Sequence, residues 1–527
     1  MFHVQSSSSV CRLLLMAHSS SSMSSLSSSS SPSSSPSFLL LLSFSSLFFF
    51  SSSFSVKPLP PLLRLGTVEG LQHVFLGLGG GSGNLVVRAA CDVGAAVSVD
   101  TLRLALQALQ LRHPLLQYRT ERRGSHVFAV HAPDVPLRLA VDEQEMCCAS
   151  PEDVQAKAAA AHAQLGQTDF RNGPQAAMAW FATDAVAELV LAVAHAISDA
   201  RSVLMLALEL LQLMAVAAAL EALPTPENLL AKAGLPPQPV PALLAERLHP
   251  RARGAGGMLS ALWAGIGFAR LASKLQKRNL FFPPLRPPPD TPRANEWTRR
   301  SCKVSALRAA CRAHDATVHH LLATCLALAF VEELAAAGRV DAAALRNLPM
   351  MATVDLRPRQ EPPCTAASEL VYVVGSSLLD VPLPNGGVAE LQSSADAVWA
   401  LANRARQLMD AQIASHNPWK IVRMFNAMSA SAMERRTRTL LEDGSGAVLA
   451  NAGPVPLPDF FQHAVIRPTG LFYQLVVVHC LLSVAATSFN DELNVVFSWG
   501  RDRADAAVMT RVADRTMAHL LRIVPPP

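Results

Sequence analysis

Residues 188–213 read E-L-V-L-A-V-A-H-A-I-S-D-A-R-S-V-L-M-L-A-L-E-L-L-Q-L, and this stretch decides the fold. Its first part is an unbroken apolar run that stops at His195, which predicts a strand buried on both faces. Strong helix formers follow from Val203, and Asp199 or Ser202 can cap the start of that helix. His195 is therefore predicted to lie on a strand-to-helix turn, where a side chain can be held rigidly and still face a cavity.

A lone histidine at the end of a buried strand is more often structural than catalytic, so position alone assigns His195 no role. The wider pattern is more specific, because His195-x-x-x-Asp199 resembles the H-H-x-x-x-D-G motif of the coenzyme-A-dependent acyltransferase superfamily. That group includes chloramphenicol acetyltransferase, alcohol O-acetyltransferases and the condensation domains of nonribosomal peptide synthesis. The motif is degenerate here, since Ala194 stands for the first His and Ala200 for the Gly.

Other stretches resemble the same superfamily in chain order. L-Q-L-R-H-P-L-L-Q-Y-R-T at 109–120 resembles its early helix and strand, and F-R-N-G-P at 170–174 resembles the turn before the paired strands that deliver the histidine. M-A-T-V-D-L-R at 351–357 resembles the strand whose Arg pairs with the motif aspartate. L-A-N-A-G-P-V at 449–455 resembles the S-N-x-G strand of the alcohol acetyltransferase branch. The D-F-G-W-G motif of the condensation and plant enzymes is missing, so the likeness, over roughly residues 65–520, is closer to the alcohol acetyltransferase branch.

The resemblance implies an α/β fold of two chloramphenicol-acetyltransferase-like lobes, each a mixed β-sheet flanked by helices, with an active-site channel between them. Together with the shifts in composition, it predicts four segments. They are a Ser-rich disordered leader or targeting segment at 1–60, an N-terminal lobe carrying His195 at 61–225, a Pro-rich connector with an amphipathic helix at 226–296, and a C-terminal lobe at 297–527.

Composition excludes several functional classes. The chain has 527 residues, half of them hydrophobic, and a formal net charge of only +5, which gives no support to nucleic-acid binding. Its nine cysteines show no zinc-type spacing, so we predict no metal and a reducing compartment. The long apolar runs Val203–Leu223 and Leu471–Phe489 are interrupted by polar residues, so we predict buried elements and no transmembrane helix. We also expect a monomer.

The first 60 residues leave localisation open. Arg12 is the only Arg or Lys before Lys57, and the first acidic residue is Glu69. A Ser-rich, acid-free leader resembles an organelle transit peptide, which would indicate a plastid-like destination. The alternative is a disordered tail or a start at Met16 or Met23, which would leave a cytoplasmic protein.

Some residues look functional but are better explained structurally. Gly77–Gly83 satisfies neither G-x-G-x-x-G nor the P-loop pattern, so it predicts a flexible loop. The pair His319-His320 lies within a helical pattern, with no aspartate at the motif spacing. His113 precedes Pro114 and is expected to shape the end of a helix.

Three further stretches bear on the organisation of the chain. Met258–Lys277 has apolar residues at helical spacing and basic residues after them, which is typical of a helix that lies on a membrane surface or docks on its own protein. Phe281–Pro292 is proline-rich and predicts a linker. Leu471–Gly500 predicts two strands joined around Asn490-Asp491.

The resemblance implies a chemistry and a role for each site residue. His195 would act as general base and take the proton of an alcohol or amine that attacks an acyl-CoA thioester, and its imidazolium would protonate the leaving thiolate. Asp199 would pair with Arg357 and fix the turn, and Asn451 and Ala200 are candidates for channel or interlobe contacts. No cofactor is required, since acyl-CoA is a co-substrate.

Two other functions stay open at the level of the sequence. The altered motif favours a non-catalytic member of the fold. A stand-alone condensation enzyme would instead form amides from substrates bound to an acyl carrier protein. The acyl chain and the acceptor cannot be read from the sequence.

Overall fold

The structure is a computed structural model of the chain. It describes residues 62–65, 83–124, 126–241, 254–277, 295–357, 369–427, 447–476, 482–502 and 504–524. All of them belong to one compact unit, Pro58–Pro527. The predicted leader, the glycine-rich loop at Gly77–Gly83 apart from Gly83 itself, and the linker at Phe281–Pro292 lie outside the described residues.

Short runs of strands and of helices follow one another along the chain. The strands are β1 (Leu62–Arg64), β2 (Asn84–Val93), β3 (Tyr118–Arg123), β4 (His126–His131), β5 (Arg138–Leu139), β6 (Ala176–Ala182), β7 (Val186–Ala194), β8 (Asn295–Lys303), β9 (Asn347–Asp355), β10 (Val374–Pro382), β11 (Ala447–Pro454), β12 (Ile466–Leu475), β13 (Leu482–Phe489) and β14 (Glu492–Gly500). The helices are α1 (Val99–Arg112), α2 (Glu143–Met146), α3 (Pro151–Gly166), α4 (Ala200–Ala218), α5 (Pro226–Lys232), α6 (Gly254–Lys277), α7 (Val304–Ala313), α8 (Val318–Ala336), α9 (Gly387–Ser393), α10 (Ala395–Ala414), α11 (Asn417–Ala427) and α12 (Ala506–Ile523).

The first sheet contains β7, the strand that ends directly before His195. Its strand order is β12-β2-β7-β6-β5, antiparallel except for the parallel pair β5 and β6. Successive residues of a strand point to opposite faces, and every residue of β7 from Ala187 to Ala194 is buried. Both faces are therefore covered, with helices α3 and α4 packed against the sheet. The buried strand predicted before His195 is confirmed.

The second sheet has six strands in the order β10-β9-β11-β13-β14-β8. Strand β11 runs parallel to both of its neighbours, and the other pairs are antiparallel. Helix α8 lies in the core of this lobe, and its pair His319-His320 is part of the helix, as predicted. Thr317 caps this helix and bonds to His320. A third sheet, β1-β4-β3, is small.

Strand β12 joins the two larger sheets. It comes late in the chain, yet it is hydrogen-bonded to β2 along its length and forms the edge of the first sheet. Its outward carbonyls would be left without partners there, but two side chains of β14 satisfy them. Asn494 donates to the Leu471 carbonyl at 3.4 Å, and Ser498 donates to the Leu475 carbonyl at 3.1 Å.

The prediction for Leu471–Gly500 is right for its second part and wrong for its first. Strands β13 and β14 form the expected hairpin, and Asn490 and Asp491 adopt φ angles of 46° and 60°, as a tight turn requires. Residues Leu471–Leu475 instead belong to β12, whose partner is in the other sheet. Alternation along a strand shows which faces are buried but does not identify the neighbouring strand.

The predicted division of the chain at residues 225 and 297 stays a prediction, and the structure adds two facts to it. Helix α5 packs Leu229 and Leu230 into the core of the first lobe. Helix α6, the amphipathic helix expected in the connector, is present and docks on α11.

Two helices in the described part of the chain, α4 and α8, are long and apolar enough to cross a membrane. In the most apolar 18-residue segment of α4, 72% of the residues are buried inside the protein, and in that of α8, 78% are. A core position explains their composition, and neither helix establishes a membrane span.

The contact between α3 and β12 makes stability depend on pH. Nε2 of His162 on α3 is hydrogen-bonded to Gln474 of β12, and burial lowers the pKa of His162 to about 4. The unfolded chain binds this proton near pH 6.5 but the folded protein does not, so the contribution of His162 to stability is constant above pH 6.5 and falls between pH 6.5 and 4. The loss attributable to His162 is about 3 kcal/mol.

Denaturant unfolding at several pH values measures this loss. We expect His162→Gln to flatten the dependence over that window and His463→Gln, at an exposed histidine, to leave it unchanged. Parallel curves for the wild type and His162→Gln would contradict the assignment.

Candidate active site

His195 lies on the five-residue turn between the end of β7 at Ala194 and the start of α4 at Ala200. Two hydrogen bonds close this turn on itself. The Ser198 hydroxyl donates to the Ala194 carbonyl at 2.9 Å, and Nδ1 of His195 lies 2.7 Å from the Ser198 carbonyl. The imidazole is therefore held by the turn from which it projects.

The Ser198 carbonyl fixes the tautomer of His195. A carbonyl oxygen only accepts, so Nδ1 must carry the proton, and in the neutral ring Nε2 keeps its lone pair. Burial lowers the pKa of His195 below its ordinary value, so the ring is neutral at neutral pH. The side chain is partly exposed although Ala194 and Ala196 are buried. Such a histidine has the protonation state of a general base.

Asp199 holds the turn in place from the other side. It caps α4 by accepting from the Ser202 N–H at 3.0 Å, and Arg357 donates to both of its oxygens at 2.9 and 2.8 Å. The pair that the resemblance implies is thus present, and both side chains are buried. Burial alone would raise the pKa of Asp199, but Arg357 and the hydrogen bonds from Ser202 and Val373 outweigh it and hold the pKa below its ordinary value.

Residues 371–373 of the second lobe continue this network. Val373 donates its N–H to Asp199 at 3.0 Å, and the Val371 carbonyl accepts from the Ser202 hydroxyl at 2.9 Å. Arg357 also donates to Ser202 at 2.6 Å. The turn that carries His195 is consequently bonded to the second lobe through side chains and backbone alike.

Tyr372 lies between the two valines and contacts His195. The two ring centroids are 5.0 Å apart with planes at 60°, an edge-to-face arrangement. Tyr372 is partly exposed, so it borders the same space as His195. The sequence analysis missed this residue, because a single tyrosine between valines carries no signal before its neighbours are known.

Tyr473 connects the site to β11. Its hydroxyl donates to the Ala450 carbonyl at 2.7 Å, and burial raises its pKa, with Asp199 close enough to raise it further. Asn451, next along β11, accepts the Gly453 N–H at 2.8 Å in a local turn. Asn451 thus follows the residue that Tyr473 contacts, and its described hydrogen bond is not to the turn that carries His195.

The two departures from the motif leave the turn intact. Ala194 contributes its backbone, donating to the Gln175 carbonyl at 2.9 Å and accepting from Ser198. Ala200 is the first residue of α4 and is not among the positive-φ residues of the described chain, so its position does not require glycine.

The other sequence candidates lie elsewhere. His113 ends α1, where its Nε2 lies 2.6 Å from Glu209, which also accepts two bonds from Arg112. His113, Arg112 and Glu209 are all buried, and their contacts attach α1 to α4. Among the described residues, no group of three or more His, Cys, Asp or Glu side chains could hold a metal ion.

Several solved structures share this fold at low sequence identity. Trichothecene 15-O-acetyltransferase of Fusarium sporotrichioides has a TM-score of 0.62 at 12% identity, covering 90% of this chain and 100% of its own. The SgcC5 protein of Streptomyces globisporus, in complex with 1-(2-naphthyl)-1,2-ethanediol and sucrose, gives 0.58 at 15%, covering 88% and 98%. The first condensation domain of the calcium-dependent antibiotic synthetase gives 0.55 at 14%, covering 88% and 98%.

No protein-family model and no curated protein sequence matches the chain. The neighbours include an acetyltransferase and a condensation domain, and they confirm the predicted fold.

Removing either partner of the buried ion pair should destabilise the protein strongly, because it leaves the other charge buried without compensation. We expect Asp199→Ala and Arg357→Ala each to lower the free energy of unfolding by about 3–5 kcal/mol. The double variant should lose less than the sum of the two. Denaturant unfolding measures each value.

The matched control is Arg467→Ala, which removes an exposed ion pair with Asp92. It should cost about 1 kcal/mol or less. A loss for Arg357→Ala no larger than for this control would show that the buried pair does not hold the lobes and the turn together.

Proposed function

We propose that the protein is an acyltransferase that moves an acyl group from an acyl-CoA thioester to an alcohol or amine acceptor, with His195 as general base. The observation that carries this proposal is the hydrogen bond from Nδ1 of His195 to the Ser198 carbonyl. It leaves Nε2 as the basic atom on a ring that is neutral at neutral pH and partly exposed.

The proposed reaction needs only one titrating group. As the acceptor oxygen or nitrogen bonds to the thioester carbonyl carbon, its proton passes to Nε2 of His195. When the carbon–sulfur bond breaks, the imidazolium returns that proton to the leaving thiolate. The thioester is already activated, so positioning contributes the rest of the rate enhancement.

Asp199 is a poor candidate for the base, although it is the nearest carboxylate in sequence. One of its oxygens accepts from Ser202 and Arg357, and the other accepts from Val373 and Arg357. A carboxylate engaged in this way has little basicity left. Its role in the proposal is to fix the turn.

Two of the structural neighbours bear on the choice of acceptor and donor. Trichothecene 15-O-acetyltransferase supports transfer to a hydroxyl group, the acceptor we favour. The antibiotic-synthetase condensation domain supports the condensation alternative, for which the resemblance implies an acyl group bound to a carrier protein. The proposed chemistry at His195 is the same for both, since both donors are thioesters.

The altered motif, which favoured a non-catalytic protein in the sequence analysis, weighs less once the turn is described. The Ala194 backbone and the helical Ala200 keep the turn closed without the missing His and Gly. Whether the protein is an enzyme or a non-catalytic binding protein is therefore best tested by replacing His195.

Replacing His195 tests the proposal directly. Thiol release from a panel of acyl-CoA donors with alcohols or amines should depend on the acceptor, and His195→Ala should lower the rate by about 10²–10⁴-fold. His463→Ala, at an exposed histidine, is the control and should keep full activity.

The remaining outcomes separate the alternatives. Release that survives His195→Ala would refute the mechanism. A folded wild type that releases thiol only from carrier-bound acyl groups would assign the condensation-type donor. No release from either donor would leave a non-catalytic protein.

The pH dependence of the reaction gives an independent test of the base. Protonation of His195 abolishes its basicity, so kcat/KM should fall as the pH drops through the His195 pKa. Because burial lowers that pKa, the acid limb should lie below pH 6.5, the ordinary value. A limb above pH 6.5 would show that another group limits the rate.

A further inference from the structure

Helix α6 is packed in an unusual orientation. The side it turns towards the protein bears small buried residues, Gly257, Ala261 and Gly265, and it packs on α11. A Cβ at Gly265 would come within 1.7 Å of the Met424 sulfur, so a larger residue there would require the Met424 side chain to move. The helix is thus attached to the protein through its small residues.

Three large apolar side chains of α6 point outwards. Leu259 is 57% exposed, Leu262 45% and Trp263 56%. The described chain has six exposed large hydrophobic residues, and these three of them lie within two turns of one helix. An amphipathic helix of a soluble protein normally has the opposite arrangement, with its apolar side against the core.

The exposed side of α6 becomes basic towards its C-terminal end. Arg270 is exposed, and Lys274 and Lys277 follow it in the sequence at helical spacing. The chain between residues 247 and 289 contains eight Lys or Arg and no Asp or Glu. Because the whole chain carries +5, the remaining residues sum to −3, and the positive charge is concentrated around this helix.

We propose that α6 binds the protein to an anionic membrane surface, with Leu259, Leu262 and Trp263 inserted at the level of the lipid headgroups. Apolar residues with tryptophan on the same side as basic residues are the composition of helices that lie in the interface. Acidic headgroups supply the complementary charge. Helix α6 is not among the described helices apolar enough to cross a membrane, which fits a helix lying on it.

Trp263 provides a probe that is local to the helix. The chain has six tryptophans, and Trp263 is the exposed one, since the other five are buried or partly buried. Vesicles with brominated acyl chains quench tryptophan fluorescence on contact. The full chain should be quenched by brominated vesicles that contain phosphatidylglycerol, much less by phosphatidylcholine alone, and not in Trp263→Phe.

Variants of the exposed side test which residues drive binding. Leu259→Ser/Leu262→Ser and Arg270→Gln/Lys274→Gln/Lys277→Gln should each raise the lipid concentration for half-maximal quenching by about tenfold or more. Leu521→Ser, at a leucine 55% exposed on α12, is the matched control and should leave it unchanged.

Four outcomes would overturn the proposal. They are no quenching by anionic vesicles, equal quenching by neutral vesicles, quenching that persists in Trp263→Phe, and equal quenching of the leucine variant. If the leucine variant instead changes only the sedimentation of the protein alone, the exposed side binds a second copy of the chain and the membrane proposal fails.

Discussion

A carboxylate that is buried away from water must be stabilised by nearby positive charge and hydrogen bonds. In this protein Asp199 is such a carboxylate. Its compensation comes from Ser202 of the same lobe and, across the two lobes, from Arg357 and the Val373 backbone. Docking of the second lobe therefore stabilises the turn between β7 and α4 in its observed form. Because the same turn orients His195, the protonation state that makes it a candidate base depends on a contact made outside its own sheet.

A second, independent set of contacts joins the two lobes. Strand β12 completes the first sheet by backbone pairing, while Asn494 and Ser498 of the second sheet bond its outer carbonyls. Tyr473 on the same strand reaches Ala450 and lies near Asp199. The backbone pairing of β12 and the buried ion pair of Asp199 thus lie close together, and they make the surroundings of the candidate site rigid.

The sequence predicted what depends on local pattern. The strand, turn and helix around His195 follow from apolar runs and helix formers, and the partner Arg357 followed from the resemblance. The role of Ser198 depends on the geometry of the turn, and the position of Tyr372 depends on bonds made by its two neighbours to another lobe. The pairing of β12 with β2 and the outward orientation of Trp263 are likewise set by tertiary contacts, which local periodicity does not encode.

The pairing of β12 with β2 also has a consequence for the order in which the protein is made. The partner residues are nearly four hundred positions apart in the chain, so β2 is synthesised long before the strand that covers its edge. Contacts this distant slow folding, and an unpaired apolar edge is where chains associate wrongly. The edge of the first sheet at β2 therefore stays unpaired during translation until β12 has been synthesised.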